Sequence, residues 1–175
     1  MCARDAEDWS GEDLDALLDM AMVTAKESQR CHHAGATLGA MAFLAASFEA
    51  ALLGQVIVRE GELRVAGRWD PAPSYLHLPE LAALGHEMGW LSEPAHQAVV
   101  QALHKARILA VHPGAYVRWQ RNEPGVDLFD PVGYEALLGV VSRATAGLAA
   151  ALSQSLEPNG NQSSLQVSKG AQDLI

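Results

Sequence analysis

The stretch Glu93–Arg118, EPAHQAVVQALHKARILAVHPGAYVR, decides how this chain is read. At about 100° per residue, Val99, Leu103, Ala106 and Ala110 share one narrow helix face. Arg107 sits at the edge of that face, beside Val100 and Val111. A cation bordering an apolar stripe calls for a partner, because an unpaired charge is costly to desolvate. His112 follows five residues later, about 140° from Arg107 in a regular helix. It precedes Pro113, and the residue before a proline is driven out of the α region. The helix is therefore expected to stop at His112-Pro113-Gly114, with His112 swung off its end. An arginine and a histidine at one helix terminus make a candidate phosphate-handling pair.

Upstream, Pro79–Met88 reads as a short helix, and Gly89 suits the C′ position that closes it. Pro94 falls in the first turn of the long helix, which starts near Ser92. Gly61–His77 is punctuated by Gly and Pro and reads as a loop, with a short extended piece at Leu63-Arg64-Val65. Arg64, Arg68, Trp69 and Tyr75 give that loop a basic-aromatic character. Trp69 would either stack a nucleobase or, more plainly, tack the loop onto the core. Gly35 marks a break, and a second helix follows to about Arg59 with Leu38, Met41, Ala42, Ala45, Phe48, Leu52 and Val56 on its apolar face. Glu49 falls inside that face and needs a partner. Arg107 is equally awkward on its own helix, so the two are expected to pair. Such a pair either orients two helices as a core salt bridge or positions Arg107 for an anionic ligand.

At the N-terminal side, Ser10 and Asp13 resemble a capping box. Leu14, Leu17, Leu18, Ala21, Met22 and Ala25 then recur at helical spacing, to about Cys31. Cys31-His32-His33 ends this helix; adjacent residues point apart and no second cluster supports them, so they read as surface histidines and no metal site is expected. Downstream of His112, PGAYVRWQRNEPGVDLF reads as a connector without a period, in which Arg118 and Arg121 add positive charge behind the Arg-His pair. Asp130-Pro131 suits an N-cap and first helical position. Leu137, Leu138, Val141, Ala144, Thr145, Leu148 and Leu152 then mark a last amphipathic helix. The organisation expected is a disordered N-terminus over 1–9, one helical domain over 10–155, and a polar disordered tail over 156–175.

The 175 residues suffice for one core without disulfides or metals. A formal charge of −9 disfavours extended nonspecific tracking along nucleic acid, while a pocket for a single phosphate is compatible with it. Cys2 and Cys31 make no disulfide framework, which points to a reducing cytosol. The opening MCARDAEDWS lacks the pattern of a secretory signal. The most apolar run, Ala34–Val58, is interrupted by Glu49 and studded with Ala and Gly, as in a core helix rather than a membrane span. A cytoplasmic protein with no cofactor and no membrane association is expected.

Arg-x4-His-Pro-Gly closing a long helix, Arg107 to Gly114, resembles the signature of the HEPN superfamily. Ser28–Val56 is similar to that superfamily's first two core helices, with an embedded glutamate, and Leu78–Leu91 to the segment before the motif helix. The resemblance runs over roughly Ser28 to Leu152. It implies an all-α, antiparallel bundle of four main helices plus a short one. It also implies a homodimer in which two Arg-His motifs face each other across a cleft. In catalytic members of that family the position after the arginine is typically polar, and here it is Ile108.

Two functions are compatible with this reading. In the preferred one, the chain is a HEPN-like dimeric interaction or ligand-binding module, non-catalytic or attenuated. Glu49 then holds Arg107, and His112 ends a helix. Ile108 lies about 180° from the core stripe and Leu109 about 100° from Ile108, so exposed apolar residues beside the motif suggest a contact surface. In the alternative, the chain is a metal-independent endoribonuclease, as in the toxin of a toxin-antitoxin pair with a cognate antitoxin protein. His112 would be general acid or base, Arg107 would stabilise phosphoryl charge, and Glu49, Ile108 and Arg118 would support them. The ligand would be an RNA or a nucleotide.

Overall fold

A computed structural model describes residues 8–122 and 131–156, and among these every regular element is helical. The first helix, α1 (Gly11–His33), opens with the expected box: Asp13 N–H donates to Ser10 Oγ at 3.2 Å, and Ser10 N–H donates to the Asp13 carboxylate at 2.8 Å. It ends in a tight reversal through Gly35, whose φ of +74° suits a residue without Cβ. Helix α2 (Thr37–Val58) then runs back against α1 and also packs on later helices on its other sides.

α2 is long and apolar enough to cross a membrane by length and composition. Most of its apolar residues are nevertheless covered by protein, although Phe43 is exposed. Met41, Leu44, Phe48, Leu52 and Val56 are buried against α1 and the later helices. A helix packed on several sides loses the narrow amphipathic stripe of a surface helix, which is why its sequence is apolar nearly all round.

The segment read as a loop is partly helical. Helix α3 (Glu60–Val65) and a 3-10 turn (Pro73–Tyr75) occupy it, and Leu63-Arg64-Val65 is helical rather than extended. Arg64 donates to Glu60 at 2.6 Å, four residues back, while Leu63 is fully buried and anchors the turn. The i,i+4 ion pair and one apolar anchor outweigh the breakers on either side. Trp69 is half-buried against the core with the Arg64 guanidinium 5.1 Å from its ring centroid, so it tacks this segment down.

Helix α4 (Leu78–Glu87) closes at Gly89, with φ of +74°. The Trp90 and Leu91 N–H groups both return to the Gly85 carbonyl, at 2.8 and 3.1 Å. The long helix then runs as α5 (Glu93–Ala98), a π-helical turn (Val99–Leu103) and α6 (His104–Val111). In the π turn the His104 N–H reaches the Val99 carbonyl, five residues back. Val99, Leu103 and Ala106 are buried as expected, and Leu109, expected to be exposed beside Ile108, is buried too, at 6% exposure, three residues past Ala106 on the same side of the helix.

The connector expected after His112 is instead a helix, α7 (Pro113–Asn122). Pro113 ends α6 by displacing His112 to φ −124°, ψ 88°. The same proline is pre-set for the first position of a new helix. The His112 carbonyl starts that helix by accepting from Ala115 and Tyr116 at 2.9 and 3.2 Å. Trp119 is buried and Lys105 lies 5.3 Å from its ring centroid, which holds α7 against α6. The described residues thus contain two helices, α3 and α7, beyond those expected.

Helix α8 (Pro131–Leu156) packs on α2 and α5. Leu137, Val141 and Leu148 face the core. The proposed Asp130 cap and the tail beyond Leu156 lie outside the described residues, as do residues 1–7. Four buried neutral bonds tie the helices together. Ser28 Oγ donates to the Ala40 carbonyl at 2.7 Å, which commits its one proton and makes Tyr134 the donor to Ser28 at 2.7 Å. Ser47 donates to the Ala21 carbonyl at 2.8 Å, and Gln55 to the Leu148 carbonyl at 2.7 Å. Burial raises the Tyr134 pKa above its ordinary 10.0.

Candidate functional site

Glu49 on α2 and Arg107 on α6 form an ion pair, as their sequence placement requires. The pair is not a buried one. The Arg107 side chain keeps 43% of its surface exposed and Glu49 21%. Water therefore shares the solvation of both charges, and the pair belongs with half-exposed bridges rather than with desolvated core ones.

Two histidines that the sequence reading passed over join this site. His104, one turn before Arg107, is half-buried, and its pKa is held below the ordinary 6.5. Burial is the main cause; the Arg107 charge lowers it further, Glu49 partly offsets that, and His77 at the start of α4 lowers it again. The imidazole is thus neutral near pH 7. The signal that would have found it is the spacing His104-x2-Arg107, which puts both side chains on one face of a regular helix.

His112 takes a different course. Its ring is exposed at the end of α6, and among the described residues no hydrogen bond, ion pair or ring contact joins it to Arg107. Arg118 is exposed on α7. Ile108 is 36% exposed, as the sequence predicts, whereas Leu109 turns into the core. The structure therefore pairs Glu49 with Arg107, sets His104 within their electrostatic reach, and leaves His112 at the helix end.

A cleft lies elsewhere. It encloses about 670 Å³ between α2, the turn before α5, and α8. Arg59, Trp90 and Arg143 line it with Gln55 and Leu148. Arg59 lies 5.6 Å from the Trp90 ring centroid and donates to Gln55 at 2.9 Å. Two guanidinium groups beside an indole suit a planar ligand with negative charge. No protein-family model, curated protein or solved structure matches the chain.

Proposed function

We propose that this chain is a HEPN-like antiparallel helical bundle that acts as a dimeric, non-catalytic interaction or ligand-binding module. The observation that carries the reading is the Glu49–Arg107 pair. A guanidinium that must meet a phosphoryl oxygen in a transition state is here already engaged by a carboxylate. His112 does not share its contacts, and Ile108 occupies the exposed position after the arginine. The exposed Ile108 suits a two-fold contact, in which the same apolar side chain is covered on both copies at once. For a ligand, the cleft of Arg59, Trp90 and Arg143 has the volume and the charge.

The test is RNA cleavage in the presence of a chelator, with wild-type protein beside His112→Ala. The expected result is no cleavage above the variant. Strong chelator-resistant cleavage leaving a cyclic phosphate, inert toward DNA and abolished by His112→Ala, would instead establish the endoribonuclease. Solvent access to both Arg107 and His112 is what keeps that outcome open to measurement. Light scattering should give twice the chain mass, reduced by Ile108→Glu. A monomer at micromolar concentration removes the dimer from the reading.

A further inference from the structure

Away from this site, the end of α4 and the start of α5 bring His86, Glu93 and His96 together. One ligand atom from each lies within 4.8 Å of the others. We propose that these three side chains form a binding site for Zn²⁺ or a similar divalent transition-metal ion. The sequence HEMGWLSEPAH shows why they meet. Gly89 turns the chain back on itself, and Glu93 and His96 are three residues apart on the next helix, on one face. This proposal is independent of the reading of the Arg107 region.

The polar contacts around the three groups are those of a prepared ligand set. His86 Nδ1 lies 3.4 Å from the Leu91 carbonyl oxygen, which can only accept, so Nδ1 carries the proton. In the neutral ring this leaves Nε2 with a lone pair, and Nε2 faces Glu93 Oε2 at 2.9 Å. A nitrogen lone pair and a carboxylate oxygen repel at that distance unless a cation lies between them. The cation is either a proton on Nε2 or a metal ion. With bond lengths of about 2.0–2.2 Å, two zinc ligands stand roughly 3.3–3.6 Å apart in a tetrahedron, so His86 and Glu93 would open by about half an ångström to hold the ion. The other Glu93 oxygen accepts from Gln97 at 2.7 Å. Both ligands are thus oriented by a partner behind them, as ligating histidines and carboxylates usually are.

His96 completes the set. Its ring stacks on His86 with centroids 4.9 Å apart and planes 11° from parallel. Parallel stacking keeps the two in-plane lone pairs in separate planes, so binding one ion requires the half-exposed His96 to rotate about χ2. Two imidazoles and one carboxylate suit zinc, with water in the fourth position. Bound there, the ion would clamp α4 to α5 across the Gly89 turn.

The test uses the full chain, free of any affinity tag and stripped with a chelator, titrated with zinc chloride and separately with cobalt chloride. One equivalent of zinc should bind. Cobalt should show the visible absorption of a four-coordinate ion, and saturating zinc should raise Tm by about 5–10 °C. His86→Ala and His96→Ala should each weaken binding by roughly 100-fold, and Glu93→Gln by roughly tenfold, with helical circular dichroism unchanged. His32→Ala/His33→Ala should bind zinc as the wild type does. Absence of zinc binding overturns the proposal. So does zinc binding that survives His86→Ala and His96→Ala, which would place the ion elsewhere on the chain.

Discussion

Two regions of this molecule handle polar groups in opposite ways. Where α1, α2 and α8 meet, Ser28, Ser47, Gln55 and Tyr134 are buried, neutral and satisfied by hydrogen bonds to a carbonyl or to each other. Where α2 meets α6, the polar groups are Glu49, His104 and Arg107, charged or titratable, and water still reaches them. Neutral groups can be taken out of water if each finds its bond. Charges cannot be desolvated so cheaply, and the fold leaves them at its edge. The first region specifies which helices pack together; the second presents chemistry to solvent.

The sharpest test of the contrast uses neighbours in sequence. Phe48 is fully buried and Glu49 is not, although both lie on α2. Phe48→Ala should cost about 3–5 kcal/mol in chemical denaturation. A loss under about 2 kcal/mol would mean that this face of α2 is not packed as described. Next comes Tyr134→Phe, which removes the donor to Ser28 and should cost about 1–2 kcal/mol. An unchanged midpoint would show that the buried bond contributes nothing to pairing α1 with α8.

Glu49→Ala should cost no more than about 1 kcal/mol, since the Arg107 left behind is solvated, and the cost should shrink as salt is raised. A loss near 4 kcal/mol would place the pair in a desolvated environment and erase the contrast. The smallest effect belongs to His104. Its folded pKa is depressed, so below the ordinary 6.5 the unfolded chain binds the extra proton first. Stability is then lost as pH falls through that range and regained above it. His104→Gln should make the fall in Tm between about pH 7 and pH 5.5 shallower than in the wild type. An identical slope would show that His104 is not held in its neutral form by the fold.

The amino-acid sequence by itself determined what short-range regularity can encode. The period of apolar residues marked α1, α2, α4 and α8, and Ser10 with Asp13 marked the start of α1. Gly89 marked a reversal that only a residue without Cβ accepts readily. The Glu49–Arg107 pair was legible as well, because a charge within an apolar face must be answered, and each helix carried one.

Tertiary structure decided the rest. Leu63 became helical because a core anchor and an ion pair outweighed the glycines and prolines around it, and Pro113 started a helix because Trp119 had α6 to pack against. Leu109 packs inward on the side of Ala106 while its neighbour Ile108 stays exposed, a choice made by the packing of the helix. Tyr134 reached Ser28, and His86 stacked on His96, through the path of the backbone between them. Helical spacing constrains neighbours a turn apart. Which side chains meet across helices depends on how the helices pack, and that is settled by burial summed over the whole core.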